Sequence, residues 1–270
     1  MLRTRVATAI VLVATLLAFL YLASPEFWIA LCAVATAIAG WEWGRLTGIS
    51  DAKSTLYSVA LAIFSATVAA YRNDAVTIVV LGSSVAFWLF VAPLWLRDRS
   101  LMKGTTKLLI AGAVILLATC IALVRLQERG AGVLLSVMAI IWISDTVAFF
   151  VGRRFGKKKL APAVSPGKSW EGVGGALAAV AIFAILWWSI SPETLPLWIQ
   201  HAPATPLVVL LLWIILAAFG ILGDLLESQL KRIAGVKDSS RLLPGHGGVL
   251  DRVDALTAAL PLAALIYLIR

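Results

Sequence analysis

The segment from Ser228 to Asp254 contains the residues of this chain whose types and spacing are best suited to chemistry. It gathers cations, carboxylates and glycines into 27 positions of a chain that is 61% hydrophobic. Carboxylates can hold a divalent metal ion, Lys and Arg neutralise phosphate, and glycine lets a phosphate approach the backbone closely. The pattern therefore favours a site for a metal ion and phosphate groups. The polar positions are Ser228, Lys231, Arg232, Lys237, Asp238, His246, Asp251, Arg252 and Asp254.

Asp224 belongs to the same group, although it precedes the segment. On a helix, Asp224, Ser228 and Lys231 are spaced i, i+4 and i+7 and share one face. A polar stripe at the end of an apolar helix predicts a cavity, and the deepest carboxylate, Asp224, is a functional candidate. Glu227 joins the stripe and can pair with Lys231. The alternative is a helix end whose charged side chains simply extend to the membrane surface.

The loop after this helix ends in a glycine-flanked histidine. His246 can bind phosphate, act as an acid or base, or donate to a carbonyl group in a tight turn, and the sequence leaves these alternatives open. Gly247 and Gly248 precede a helix start, so we expect their backbone N–H groups to face an anion.

Two aspartates open the last predicted helix. Asp251 and Asp254 are three residues apart and can meet on one helix face, and either can cap the helix. Asp224 and Asp251 approach from different spans. Together they predict a Mg²⁺ site, because Mg²⁺ takes one or two carboxylates and completes its shell with water and substrate phosphate.

A second group of polar residues lies between Ser144 and Gly172. Asp145 sits within a predicted span, where a carboxylate is a functional candidate. Ser165 and Lys168, in the run Ser-Pro-Gly-Lys-Ser, offer a hydroxyl and a cation before an apolar helix. The basic run 157–159 is interpreted as a topology signal. A P-loop is excluded because the Gly-x4-Gly-Lys spacing and a preceding strand are missing.

The composition predicts an all-α polytopic integral membrane protein. Its mean hydropathy is +0.96, and only 14% of its residues are charged, against about 25% in soluble proteins. The net charge of +9 would favour nucleic acid in a soluble protein. Here the cations lie between spans, so membrane lipids and phosphates are the expected partners. Cys32 and Cys120 lie in apolar runs, so we expect them to be packing residues. They do not indicate a disulfide or zinc framework.

Apolar runs predict about nine transmembrane helices in a single membrane domain, 1–270. Spans 1–130 are assigned to scaffold and lipid-facing roles, and 131–270 to catalytic helices and cytoplasmic loops. The second and third spans are the least apolar, partly because of Glu42. The predicted spans are 6–23, 27–43, 56–71, 75–96, 107–124, 131–151, 172–190, 206–223 and 253–269.

The distribution of basic residues predicts a cytoplasmic N-terminus. With that orientation, 19 of the 23 Lys and Arg residues fall on the cytoplasmic side, as the positive-inside rule requires. The loops 152–171 and 224–252 then both face the cytoplasm. Segment 1–23 is interpreted as a retained helix and not a signal peptide, because its apolar stretch is long and no clear cleavage site follows.

The polar segment closely resembles the signature of the phosphatidate cytidylyltransferase (CDP-diacylglycerol synthase) family. That signature runs Ser-x-apolar-Lys-Arg, four residues, Lys-Asp, a variable segment, His-Gly-Gly and Asp-Arg-x-Asp, and every defining position is present. The family's upstream pattern, Asp-Thr-Gly-Ala-Tyr-Phe, Gly-Arg and Ser-Pro-Gly-Lys-Thr-Trp-Glu-Gly, is matched from Asp145 with three departures. Val147 replaces Gly, Phe149 replaces Tyr and Ser169 replaces Thr. The motifs cover 144–254, and the earlier spans match only in being hydrophobic.

The resemblance implies a nucleotidyltransferase of phospholipid biosynthesis in the plasma (inner) membrane, with its active site facing the cytoplasm. CTP and phosphatidic acid would give CDP-diacylglycerol and pyrophosphate. The expected cofactor is Mg²⁺, and a second cation can be accommodated. A homodimer is expected from the resemblance alone. The expected catalytic residues are Asp224, Lys231 and Asp251. The expected substrate-binding residues are Ser165, Lys168, Ser228, Arg232, Lys237, His246, Gly247, Gly248 and Arg252. The expected metal ligands are Asp224 and Asp251, with Asp145 and Asp254 as further candidates.

Three alternatives remain from the sequence. A secondary transporter for an anionic solute would use the same charges as a binding site, but no paired broken helices support it. A CTP-dependent enzyme could act on another lipid phosphate, such as an isoprenoid-ether lipid phosphate. Acyl chains bind to apolar surfaces, and no sequence motif identifies which chain is bound. A purely structural membrane protein would leave the charged segment unexplained.

Overall fold

The computed structural model describes residues 2–200 and 205–268, and long helices account for most of them. Five π-helical residues, Phe87–Val91, join α4 to α5, and 3₁₀ helices occur at Arg99–Met102 and Pro192–Thr194. The α-helices are α1 (Leu2–Leu22), α2 (Pro25–Leu46), α3 (Asp51–Tyr71), α4 (Asp74–Ala86), α5 (Ala92–Arg97), α6 (Thr105–Glu128), α7 (Ala131–Phe155), α8 (Trp170–Ile190), α9 (Leu197–Gln200), α10 (Thr205–Ile233) and α11 (Leu250–Leu268).

Each of the nine predicted spans coincides with a helical segment, and the polytopic membrane architecture is confirmed. Within the described residues, seven helical segments are long and apolar enough to cross a membrane. These are α2, α3, α4 with α5 as Asp74–Arg97, α6, α7, α8 and α10. The apolar part of α1, Ala7–Leu22, is shorter, and α11 begins with charged residues. The count of nine therefore stays a prediction.

The all-α prediction is confirmed, and the segment between α7 and α8 adds one small feature that was not predicted. It forms a small antiparallel sheet of β1 (Lys159–Ala161) and β2 (Ser165–Ser169), in which Lys159 pairs with Ser169 and Ala161 with Ser165. A strand does therefore precede Lys168, although the P-loop spacing is still missing. Strands of three and five residues are too short to show the alternation of apolar and polar residues from which strands are recognised.

Small residues at the α2–α3 contact explain why these two spans looked weakly apolar. A Cβ atom added to Gly44 would lie 2.9 Å from the Ser54 hydroxyl, and one added to Gly40 would lie 3.3 Å from Leu61 Cδ2. Membrane helices commonly use small residues to bring their backbones together. The small residues of α2 and α3 are thus packing residues.

The hydrophobic core centres on α6. Within the most apolar stretch of this helix, 61% of the residues are buried. Ala118, Cys120, Ile121 and Leu126 of this helix are fully inaccessible, and α6 packs against α2, α3, α4, α7 and α11. Cys32 and Cys120 are both free and buried, which confirms their prediction as packing residues.

Several contacts bring distant polar segments to one end of the helix bundle. Arg232 on α10 donates from Nε to the Val164 carbonyl oxygen beside β2, at 3.3 Å. Arg99, after α5, donates to the neighbouring carbonyl of Ala163 at 2.7 Å. The C-terminal part of α10 and the hairpin therefore share one end of the bundle with the segment after α5.

Candidate active site

Asp224 lies where the apolar part of α10 gives way to its polar C-terminal turns. One turn later, Ser228 donates its hydroxyl to Asp224 Oδ1 at 3.1 Å. Lys168, carried by β2, places Nζ 2.5 Å from Asp224 Oδ2. The shared helix face predicted for Asp224 and Ser228 is confirmed. The contact with Lys168 joins this helix to the second polar segment, which was expected to contribute to the same site.

Lys231, two turns after Asp224, is held between two carboxylates. Its Nζ atom lies 2.6 Å from Asp251 Oδ1 and forms an ion pair with Glu227 one turn earlier on α10. The pairing of Glu227 with Lys231 was predicted from their spacing. The side chains of Lys231 and Asp251 are only 12% and 4% exposed, so this pair is well shielded from water and links α10 to α11.

The second oxygen of Asp251 organises the loop before α11. Asp251 Oδ2 accepts from the Ser239 backbone N–H and from the Gly248 N–H, at 2.9 and 2.8 Å, and the Ser239 hydroxyl lies 2.9 Å away. Asp251 lies on the first turn of α11, before the apolar part of that helix. Burial acts to raise the pKa of Asp251, but the hydrogen bonds from Lys231 and Gly248 and the Lys231 charge lower it to about 2.

Three consecutive N–H groups at the entrance to α11 donate to protein carboxylates, which corrects one expectation. The Gly248 N–H was expected to face an anion, but it donates to Asp251. The next two N–H groups, of Val249 and Leu250, donate to the Glu42 carboxylate at 3.0 and 2.6 Å. Helix N-termini attract anions because their first N–H groups lack partners. Here two carboxylates of the protein already fill that role.

Close packing explains the paired glycines better than anion binding does. Gly247 has a φ of +83°, which L side chains rarely adopt, and a Cβ atom there would lie 2.6 Å from Asp251 Oδ2. A Cβ atom on Gly248 would overlap the Ser239 hydroxyl and the Glu42 carboxylate. Both glycines therefore let the loop fold tightly around the two carboxylates.

Asp145 and Asp254 extend the acidic group around Asp224. Asp254, on α11, lies within electrostatic range of Asp224 and Asp145 and accepts the Ala255 N–H at 2.8 Å. Asp145, on α7, interacts electrostatically with Asp224, Lys168 and Arg252. Charged groups from α7, β2, α10 and α11 thus converge on one region.

The remaining predicted substrate-binding residues lie around this region. Arg232 donates to the carbonyl oxygens of Val164 and Val236, so it supports the hairpin and the start of the loop. Ser165 begins β2 and is half-buried. A cavity of about 570 Å³ is lined by residues that include Lys237, His246 and Arg252. Neither Asp224 nor Lys168 lines this cavity.

A second cavity, of about 510 Å³, is lined in part by the same loop. It is lined by Arg45 of α2 together with loop residues that include Lys237 and Arg241. Arg45 was not predicted as a site residue, because its position at the end of the second span suggested only a topology signal.

The charged groups of this region decide whether it can hold a divalent ion. Five acidic groups and three basic groups lie in this region. In the described residues, no three acidic side chains lie close enough to hold an ion by themselves. Mg²⁺ usually completes its shell with water and substrate phosphate, so the carboxylates fit a substrate-dependent ion. The acidic groups are Asp145, Asp224, Glu227, Asp251 and Asp254, and the basic ones are Lys168, Lys231 and Arg252.

Glu42 is the main residue that the sequence reasoning missed. It was treated only as a charge that weakens the second span, yet it is 0% exposed and has four donor groups of the loop and α11 within hydrogen-bond distance. An ionisable residue within a membrane span is a functional candidate by default. That rule was applied to Asp145 and Asp224, and it would also have identified Glu42.

The comparisons with known proteins agree with this architecture. A family model described as the cytidylyltransferase family matches residues 3–269. A phosphatidate cytidylyltransferase of Pseudomonas aeruginosa is 38% identical over 275 residues, covering 99% of this chain and 97% of the relative. One from Haemophilus influenzae is 36% identical over 290 residues, covering 99% of each chain. A third, from Bacillus subtilis, is 34% identical over 66% of each chain. The chain belongs to the cytidylyltransferase family.

Proposed function

We propose that this protein is a CTP:phosphatidate cytidylyltransferase, which transfers CMP from CTP to phosphatidic acid. The products are CDP-diacylglycerol and pyrophosphate. The observation that carries the proposal is the Lys168–Asp224 contact. It brings both polar segments, with their cations and carboxylates, to one end of an apolar helix bundle. A water-soluble nucleotide and a lipid phosphate can meet at such a boundary.

The reaction asks the protein mainly to bring two anions together. A phosphate oxygen of phosphatidic acid forms a bond to the α-phosphorus of CTP, and the bond from that phosphorus to the bridging oxygen breaks as pyrophosphate leaves. The attacking oxygen is already anionic near neutral pH, so no strong base is needed. Positioning and charge neutralisation should therefore dominate catalysis. Lys168, Lys231 and Arg252 are placed to neutralise phosphate charge.

Asp224 and Asp251 are proposed as the principal metal-holding residues, with Asp145 and Asp254 nearby. A bound Mg²⁺ would supply charge neutralisation on the triphosphate and the leaving pyrophosphate. In the described structure the oxygens of Asp224 and Asp251 face the ammonium groups of Lys168 and Lys231. What supports this assignment is the convergence of carboxylates from α7, α10 and α11 on one region. Room for a second cation is proposed from the family resemblance.

We further propose that the site faces the cytoplasm from the plasma (inner) membrane. The contacts of Arg232 and Arg99 with the hairpin support placing the polar segments on one side of the membrane. The excess of Lys and Arg in the same segments favours the cytoplasmic side, where CTP is available. Phosphatidic acid would reach the site from the adjacent leaflet. A homodimer remains a proposal by resemblance.

The test uses purified protein in phosphatidic acid-containing micelles with α-labelled CTP and Mg²⁺. The expected result is labelled CDP-diacylglycerol that depends on both substrates and disappears with excess chelator. Asp224→Asn should lower the rate by at least 100-fold, whereas Asp98→Asn, an exposed acid in the loop after α5, should not change it. Transfer only to another lipid phosphate would redirect the proposal, and transport without nucleotide turnover would refute it.

A further inference from the structure

The buried carboxylate of Glu42 has an unusually complete set of donors. Oε1 accepts from the Ser240 hydroxyl at 2.5 Å and from the Val249 N–H at 3.0 Å. Oε2 accepts from the Leu250 N–H at 2.6 Å, and the Ser239 hydroxyl lies 3.2 Å from it. All four partners lie 197 to 208 residues later in the chain. Glu42 therefore fastens α2 to both ends of the loop that precedes α11.

The contacts continue from Glu42 to the phosphate-neutralising Lys231. The Ser239 hydroxyl lies within hydrogen-bond distance of both Glu42 Oε2 and Asp251 Oδ2, at 3.2 and 2.9 Å. Asp251 in turn contacts Lys231 Nζ at 2.6 Å. The connection from Glu42 through Ser239 and Asp251 to Lys231 involves buried or largely buried side chains throughout.

Capping alone is a poor explanation for this carboxylate. The first turn of α11 already has Asp251, which accepts the Gly248 N–H, and one polar side chain usually suffices as a cap. An ionised carboxylate is costly inside a membrane protein and is retained where it is paired or functional. Glu42 also holds the two loop serines, which a helix cap does not require.

We propose that Glu42 is a positioning residue for nucleotidyl transfer. It fixes the loop 239–250 and, through Ser239 and Asp251, the location of the Lys231 ammonium group. The inference rests on the proposed function. It assigns a role in the site to α2, a helix of the segment that sequence reasoning treated as scaffold.

Glu42→Gln is the sharpest variant because both carboxylate oxygens receive donors. A glutamine must turn its NH₂ group towards one of those donors, so at least one backbone N–H loses its acceptor. Charge-assisted hydrogen bonds of this kind are among the stronger polar contacts. We expect kcat/KM for CTP, per folded molecule, to fall about 10- to 100-fold, which corresponds to an activation barrier higher by about 1.4 to 2.7 kcal/mol.

Hydrogen–deuterium exchange gives a readout that does not need activity. In Glu42→Gln, the amides of Val249 and Leu250 should exchange faster than in the wild type. Glu26→Gln is the matched control, since it makes the same change at the exposed start of α2, and it should alter neither exchange nor kinetics. Ser240→Ala removes one Glu42 contact and leaves Asp251 untouched. It is the milder second variant if Glu42→Gln folds poorly.

The two readouts separate the possible failures. The double variant Glu42→Gln/Ser239→Ala tests whether the two residues act together. The role is supported if its loss in kcat/KM is clearly smaller than the product of the losses in the two single variants. Faster exchange with kcat and KM both within twofold of wild type would show that Glu42 is structural only, and would overturn the inference while the proposed function stands. A wild-type protein without CTP-dependent lipid product would overturn the proposed function. The exchange comparison would still test whether Glu42 holds the loop.

Discussion

Replacing Asp251 with asparagine should destabilise the protein as well as inactivate it. Asp251 Oδ1 faces the Lys231 ammonium, and Oδ2 faces the N–H groups of Ser239 and Gly248. An asparagine keeps one acceptor oxygen and must point its NH₂ group at the remaining donors. Whichever way the amide turns, it meets either a cation or two backbone N–H groups, so neither orientation restores the original contacts.

The size of the effect follows from the ionisation of Asp251. The difference between its pKa of about 2 and the ordinary value of 3.8 corresponds to about 2.5 kcal/mol of interaction that favours the carboxylate. The side chain is 4% exposed, so solvent screening removes little of this. A loss of about 2.5 kcal/mol lowers Tm by roughly 5–10 °C in a chain of this size.

The assay compares thermal unfolding of the wild type and Asp251→Asn in the same detergent, alongside CDP-diacylglycerol formation. Asp238→Asn, an exposed acid in the same loop, is the stability control and should shift Tm by less than about 2 °C. The structural reasoning is wrong if Asp251→Asn is inactive but unfolds at the wild-type temperature. That result would make Asp251 a ligand without a part in holding the loop.

Three further outcomes are expected. Gly248→Ala should lower activity more than tenfold, because its Cβ would overlap Ser239 and Glu42, whereas Gly82→Ala, with open space around it, should be neutral by the same assay. The folded-state pKa of Asp251 lies below its unfolded value, so its stabilising contribution is complete above about pH 4 and is lost as pH falls through about 2. The Tm difference between wild type and Asp251→Asn should therefore shrink over that interval, and an unchanged difference would contradict the assignment. Lys168→Ala should raise KM for a substrate phosphate at least tenfold, while the exposed Lys157→Ala should not, as steady-state kinetics can check.

The part of the site on α10 could be predicted from the sequence because its residues lie close together along the chain. The helical spacing of Asp224 and Ser228 predicted their contact, and that of Glu227 and Lys231 predicted their ion pair. These are local geometries that one helix imposes. The same reasoning located the long helices, since apolar length is a strong signal in membrane proteins.

Contacts between distant segments could not be read in the same way. The position of Lys168 in the sequence does not indicate that its side chain contacts Asp224. The residues next to Glu42 likewise do not indicate its hydrogen-bond donors, which lie more than 190 residues later. The hairpin was missed because its strands are short and β2 contains Pro166 and Gly167, residue types that are depleted in strands. The Gly248 amide was predicted to be free because the sequence does not show that Asp251 turns back to accept from it.

The long sequence separation between Glu42 and its hydrogen-bond donors also has a consequence for folding during synthesis. Its partners are synthesised 197 to 208 residues after it, which at ribosomal rates of about 5–20 residues per second is a delay of roughly 10–40 s. During that interval α2 carries a carboxylate whose acceptor oxygens have none of their final donors. The end of α2 therefore reaches its final environment only when α11 is synthesised, so the first and last thirds of the chain complete their folding together.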